Sequence, residues 1–300
     1  MAVVVGGKDV AVRQPIALVF DLFKLRIGLV IGFTALAGLA VTPGATPASW
    51  RVALLALAVI VSSAAAGAFN QYVERDIDAQ MARTRARPFV TGRLEASPAW
   101  LALIALMCIG SAMVAALATN TLAALYTFLG AFVYGVVYTV WLKRRSWLNI
   151  VIGGLAGSFA VLAGAAAVTP KSLDAVPLWL AIVLFLWTPP HFWSLAIAYR
   201  KDYEAAGVPM LPVVVGDAKA ARAILGSALL LVLASIVPAF YGLSWLYLAA
   251  AIGGGGYFLV MSARLVREPC RRTAMANFHA SLAQLTLLLT AAIVDATLLA

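Results

Sequence analysis

The chain has 300 residues, of which 64% are hydrophobic and 11% charged, against about 45–50% and about 25% in an ordinary soluble domain. A mean hydropathy of +0.98 carried by long apolar runs excludes a disordered chain, a disulfide scaffold and a nucleic-acid-binding domain, which need polar or cysteine-rich composition. What remains is an all-α polytopic membrane protein, since the runs lack the period-two alternation of a barrel, and the net charge of +10 is explained by topology with no nucleic-acid partner.

The first stretch, Met1 to Phe23, lacks a basic start, an apolar core and a small-residue cleavage site in that order, so it does not read as a signal peptide. It is not Arg- and Ser-rich like a transit peptide, which favours a bacterial plasma membrane over an organelle. Ile16 to Phe23 read equally well as a short interfacial helix or as the frayed start of the first span. Nine apolar windows of membrane length follow, at about 25–43, 52–69, 98–118, 121–142, 148–168, 176–199, 220–241, 244–263 and 276–299. When the 22 Lys and Arg are sorted into the connections, all but Arg51 and Lys171 fall on one side. The positive-inside rule makes that side cytoplasmic, the N-terminus with it. The expected architecture is therefore a single domain over 1–300 with nine transmembrane helices and a basic face that would also attract anionic lipid. Cys108 in a span and Cys270 in a basic loop lie too far apart in depth for a disulfide.

Two long charged connections, 70–97 and 200–219, are where chemistry is expected. If the second span continues as a helix, Asn70, Glu74 and Asp78 share one face, drifting by only about 80° over eight residues. Clustered carboxylates with an amide suit a hard divalent cation completed by substrate phosphates, which points to Mg²⁺ holding a diphosphate. Asp76 falls off that stripe and is expected to orient Arg75 or Arg83. Arg83, Arg85 and Arg87 follow at once, and guanidinium forks match phosphate oxygens.

Further along, Tyr138 to Asn149 forms a short basic connection with Lys143, Arg144 and Arg145, either a topology signal with interfacial aromatics or an anion site. Gly153, Gly154 and Gly157 then suggest close helix packing. The pair Pro189-Pro190 interrupts the hydrogen-bond ladder of the sixth window and predicts a span bent around a pocket. Arg200, Lys201 and Asp202 repeat, four spans later, the charged end of span two, a weak pseudo-repeat. The two histidines, His191 and His279, both fall in spans near the basic side. Arg264, Arg267, Arg271 and Arg272 crowd the last connection.

The run Asn70-x3-Glu74-Arg75-Asp76-Ile77-Asp78-x2-Met81-x-Arg83-Thr84-x2-Arg87-Pro88 resembles the first signature of the UbiA-type intramembrane prenyltransferases. Within them it is most similar to the branch that farnesylates heme. The likeness continues in Lys143-Arg144-x4-Asn149 to Gly154, in Thr188 to Trp193, in Asp202-Tyr203-x3-Gly207 to Pro212, and through Phe278-x2-Ser281 to Asp295. The resemblance implies a nine-helix bundle around a central cavity that opens laterally to lipid, its polar mouth capped by the loops about 70–97 and 200–219. It implies transfer of farnesyl from farnesyl diphosphate to a vinyl group of heme b, with Asn70, Glu74, Asp78 and Asp202 on Mg²⁺ and Arg83, Arg87, Lys143, Arg200 and Lys201 on the diphosphate. His191 and His279 would be the candidates for heme iron. Heme b enters as substrate, and a heme A synthase or a terminal oxidase would be a partner. Two departures stand out. The second acidic motif of the wider family is missing, its region offering His191, Asp202 and Glu204, and Glu74 stands where Asp is usual. Lys24-Leu25-Arg26-Ile27 lacks the Pro the family commonly has between its basic residues. The competing readings are a prenyltransferase for a quinone-type aromatic acceptor, a secondary transporter, and a noncatalytic heme-binding assembly factor.

Overall fold

The computed structural model describes residues 15–170 and 174–298; Lys8, Arg13 and Lys171, used above to sort charge, lie outside them. A short helix, α1 (Pro15–Leu22), leads into α2 (Leu25–Ala40), and the chain turns between them at Lys24 with φ 48°. Of the two readings of this segment, the separate short helix is the observed one. The chain continues through α3 (Ser49–Val73), the six-residue α4 (Arg75–Gln80), α5 (Pro98–Ala118) and α6 (Thr121–Phe132), which winds on as a π-helix over Val133–Leu142. Then come α7 (Asn149–Gly153), α8 (Leu155–Val168), α9 (Ala175–Ala198), α10 (Arg200–Ala205), α11 (Leu211–Val215) and α12 (Asp217–Ile236). A 3₁₀ turn (Val237–Tyr241), α13 (Trp245–Arg267) and α14 (Arg271–Leu298) complete the chain.

Among the described residues, eight helical segments are long and apolar enough to cross a membrane. The first window, 25–43, is the exception. It yields only the 16 residues of α2, about 24 Å at 1.5 Å per residue, short of a hydrocarbon core of about 30 Å. The helix starts where the window does and stops at Ala40, ahead of Pro43 and Gly44. The outward faces carry Leu106, Leu117, Phe240 and Trp245, all more than two-thirds exposed, as a lipid-facing surface requires.

Packing follows from residue size. α2 crosses α8 where Gly38 faces Val161 and Gly164 faces Ala35, so closely that a Cβ at Gly164 would lie 1.8 Å from the Ala35 carbonyl oxygen. Glycine is what permits this approach. α2 also packs on α3, and α14 returns to touch it, so the first and last spans close the bundle. α9 is enclosed by α8, α12 and α14, and Leu180, Val183, Leu231, Tyr247, Phe258 and Leu288 fill the space there. Two helix starts are capped by side chains. Asn120 accepts from the Ala123 amide at 2.9 Å at the head of α6. Asp295 reaches from α14 to accept the Ser244 and Tyr247 amides at the head of α13, satisfying donors that lipid could not.

Pro189 and Pro190 do not split their helix. α9 runs unbroken through both, with Ser194 Oγ donating to the Pro190 carbonyl at 2.6 Å, and Thr188 and Phe192 beside them line a cavity.

Candidate functional site

The site lies at the end of the bundle where the basic connections gather. α3 ends in Asn70, and helical hydrogen bonds pass through the junction with α4, from Glu74 N to Asn70 O (3.0 Å) and from Asp78 N to Glu74 O (2.8 Å). The four-residue spacing therefore survives the helix boundary at Glu74, and all three side chains are at most 2% exposed. Each faces a cation. Lys24 Nζ donates to Asn70 Oδ1 at 2.7 Å, Lys143 Nζ to Glu74 Oε2 at 2.5 Å, and Arg87 Nη1 to Asp78 Oδ2 at 2.5 Å. A buried carboxylate left alone would cost several kcal/mol, so the pairs are a condition of the burial. Burial, aided by the neighbouring charge of Arg87 and opposed by Glu74, pushes the Lys24 ammonium down from 10.5 to about 7.

The π-helix supplies the facing wall. In α winding, five residues turn through about 500°, which would throw Thr139 off the face of Tyr134 and Lys143 off that of Tyr138. With i→i+5 hydrogen bonds, such as Lys143 N to Tyr138 O at 2.9 Å, residues five apart stack on one side. Tyr134 OH then accepts from Lys24 at 3.0 Å. Thr139 Oγ1 donates to the Tyr134 carbonyl at 2.8 Å and accepts from Asn70 Nδ2 at 3.1 Å. That last bond fixes the Asn70 amide with Oδ1 towards the cations. The rings of Tyr134 and Tyr138 stack, centroids 5.6 Å apart.

The two loops meet over this cluster. The backbone amide of Arg83 donates to Asp202 Oδ2 at 3.3 Å and its guanidinium to Tyr203 OH at 3.4 Å. Arg83 and Arg271 both stand 5.6 Å from the Tyr199 ring. Asp202 thus meets the first loop through Arg83. Arg200 is turned to α12, where it pairs with Asp217 at 3.5 Å, and Lys201 is exposed. Neither joins the cluster, because α10 rotates them to its other faces. Asp76 orients neither Arg75 nor Arg83. It takes Arg144 in a two-pronged pair at 2.6 and 2.7 Å, whose guanidinium holds the carboxyl below its ordinary range, while Arg75 folds back over Tyr72.

A cavity opens among Asn70, Arg83, Arg87, Lys143, Tyr134, Tyr138, Thr188 and Phe192. It shares Lys24, Ile27 and Tyr134 with a second, apolar cavity that descends between α2, α3, α6 and α8. Gly153 lines the first and faces Tyr138 across a gap that a Cβ would narrow to 3.0 Å. Gly154 does the same against Thr188 of α9, the packing role expected of this pair. His191 lies one step around α9 from Thr188 and Phe192, its ring between Trp187 (4.0 Å) and Phe278 (4.3 Å) and its Nδ1 2.7 Å from Ser281 Oγ. His279 is on the exposed face of α14.

The donor set fits a magnesium ion on two counts. Asn70, Glu74 and Asp78 are hard oxygen donors, and Glu74 Oε1 is buried with no hydrogen-bond partner. Among the described residues, no three His, Cys, Asp or Glu side chains gather into a metal site, so Glu74, Asp78 and Asp202 are not brought together as one; an ion there would need substrate phosphates and water to complete its shell. Residue types alone did not reveal Lys24, Tyr134, Tyr138 and Thr139. The signal available for Lys24 was a cation placed at the very head of a span.

Residues 31–288 match the UbiA prenyltransferase family. The chain is 59% identical over 276 residues to protoheme IX farnesyltransferase 2 of Paramagnetospirillum magneticum, covering 92% of this chain and 95% of that protein. In fold it is similar to a digeranylgeranylglyceryl phosphate synthase (TM-score 0.76, 18% identity, 95% of this chain and 99% of that one). It is also similar to a UbiA homologue from Archaeoglobus fulgidus bound to DMAPP and Mg²⁺ (TM-score 0.68, 16% identity, 89% and 99%).

Proposed function

The chain belongs to the UbiA prenyltransferase family, and on that premise we propose that it is a protoheme IX farnesyltransferase, moving farnesyl from farnesyl diphosphate to a vinyl group of heme b. The observation that carries the reading is that the two cavities adjoin. One is ringed by cations and oxygen donors, the other is apolar, and Lys24, Ile27 and Tyr134 belong to both. A prenyl diphosphate has this same division, a polyanionic head on an apolar chain. The 59% identical relative is named for that reaction, which favours heme over a quinone-type acceptor. A transporter reading leaves the buried pairing of acids with Lys143 and Arg87 without a use.

Asn70, Glu74 and Asp78 would hold Mg²⁺, with Asp202 joining from the second loop. The magnesium-bound homologue supports the metal requirement. When bound, the ion supplies Lewis-acid polarisation of the diphosphate oxygens. Lys24, Lys143, Arg83 and Arg87 neutralise the charge that grows on the leaving diphosphate as the bond to C1 of the chain breaks; Arg200 and Lys201 would reach it only if the second loop turned. The faces of Tyr134 and Tyr138 offer electron density to the allylic cation, and the apolar walls keep water from it. The vinyl carbon of heme supplies the electron pair for the new carbon–carbon bond. Water then adds at the carbon beside the ring and releases a proton, giving a hydroxyethylfarnesyl side chain. For the heme, His191 keeps Nε2 for the iron, its Nδ1 being engaged by Ser281, with His279 as the second candidate.

The whole chain acts as one unit in a bacterial plasma membrane with its basic loops cytoplasmic. A heme A synthase or a terminal oxidase fits as the recipient of the product. The test is the mass of heme extracted after the purified protein meets heme b, farnesyl diphosphate and Mg²⁺. A gain of farnesyl plus water, lost with EDTA and in Asp78→Asn, is expected. Unmodified heme from folded wild-type protein would overturn the acceptor.

A further inference from the structure

The apolar cavity runs down between α3 and α6, and its length can be counted. On α3 the lining descends from Gly67 through Ala66, Ser63 and Ser62 to Val59, and from Tyr134 of the π-helix through Ala131 and Gly130 of α6 to Tyr126. Small side chains on both helices leave the space open. At the bottom the side chains become large. Tyr126 stacks on Phe159 of α8, centroids 6.0 Å apart and planes at 23°, and packs against the close-set cluster of Leu55, Ala58, Ala123 and Ala163. Tyr126 is the largest side chain at this end of the lining, and Phe159 stands behind it.

From Asn70, at the diphosphate head, to Val59, at the far end, is eleven residues of α3, about 16 Å at 1.5 Å per residue. An extended isoprene unit spans four carbon–carbon bonds and advances roughly 5 Å. Three units need about 15 Å and four need about 20 Å, on the same bond lengths. The groove therefore holds a fifteen-carbon chain to its end and meets a twenty-carbon chain with an aromatic ring.

We propose that Tyr126, backed by Phe159, is the residue that sets prenyl chain length, by closing this groove three isoprene units below the diphosphate site. The inference rests on the reading of the chain as a prenyltransferase and adds to it which residue selects the donor. Shortening follows the same geometry. Ser63 stands seven residues from Asn70, about 10 Å down the groove, so a large side chain there leaves room for two units.

The experiment compares geranyl, farnesyl and geranylgeranyl diphosphates, each with Mg²⁺, on the full-length protein in detergent, reading both binding affinity and the mass of the heme product. The wild type is expected to prefer farnesyl. Tyr126→Ala should shift the ratio of geranylgeranyl to farnesyl use by about tenfold or more, the scale on which an apolar pocket discriminates chain size. Ser63→Phe should shift preference to geranyl by a similar factor. Unchanged ranking in both folded variants would overturn the proposal. If wild-type protein binds the diphosphates but leaves heme unmodified, the acceptor assignment fails, while a shifted binding ranking in the variants still upholds the role of Tyr126.

Discussion

Glu74 and Asp78 are buried carboxylates at the membrane boundary, and their partners decide what they cost. Lys143 holds Glu74 with 10% and 1% of the two side chains exposed, a setting in which removing one partner typically costs about 3–5 kcal/mol because the other charge remains. Lys143→Met should therefore lower the thermal midpoint in detergent clearly, and adding Glu74→Leu should recover most of that loss without recovering turnover. A double variant no more stable than the single one would sink the account. Thr139 tests a subtler point, the orientation of an amide. In Thr139→Val the Asn70 Nδ2 loses its acceptor and the amide can turn Oδ1 away from the cations. Turnover should fall by about tenfold or more, one hydrogen bond's worth of positioning, and the Mg²⁺ concentration for half activity should rise. Thr139→Ser should restore both, whereas a merely structural hydroxyl would leave the Mg²⁺ requirement unmoved.

Helix extents were legible in the sequence because a lipid core imposes a length, and α5 occupies the same residues, 98–118, that its apolar window predicts. The stripe of Asn70, Glu74 and Asp78 was legible for the same reason, a period of 3.6 running on past the apolar segment. What was not legible depended on contacts between elements. The π winding of Val133–Leu142 leaves no compositional mark, so Tyr134, Thr139 and Lys143 could not be placed on one face. The crossing of α2 and α8 is likewise set by two glycines remote in sequence. Gly164→Ala places a methyl against the Ala35 carbonyl, where backbone must yield; overpacking of this kind costs about 1–3 kcal/mol or more. The thermal midpoint should drop, and activity with it, because the splay of these helices frames the apolar groove. Gly110→Ala, which meets nothing within 4 Å, should leave both unchanged and serves as the control.

Across the whole molecule, α3 followed by α4 and α9 followed by α10 repeat one pattern, a long span ending in a six-residue helix with an acid in its first turn. Both short helices reach the same cavity end, Asp78 through Arg87 and Asp202 through Arg83. The described Lys and Arg crowd that same end, with Arg51 at the other, and the positive-inside rule predicts a cytoplasmic mouth. The chain carries its own probe of this. Cys270 lies in the turn between α13 and α14, at the mouth end, and its thiol, hydrogen-bonded by Thr273, ionises below the ordinary range, which favours reaction with a maleimide near neutral pH. Cys108 lies within α5, out of reach of an impermeant reagent. An impermeant maleimide should label inside-out vesicles, fail on right-side-out ones, and fail on both in Cys270→Ser. Adding Arg51→Cys to Cys270→Ser should reverse the pattern, since residue 51 sits at the opposite end of α3. Labelling of Cys270 from the outer side would invert the topology and place diphosphate chemistry where neither prenyl diphosphates nor free Mg²⁺ is supplied by the cell interior, which would remove the cytoplasmic site from the proposal altogether.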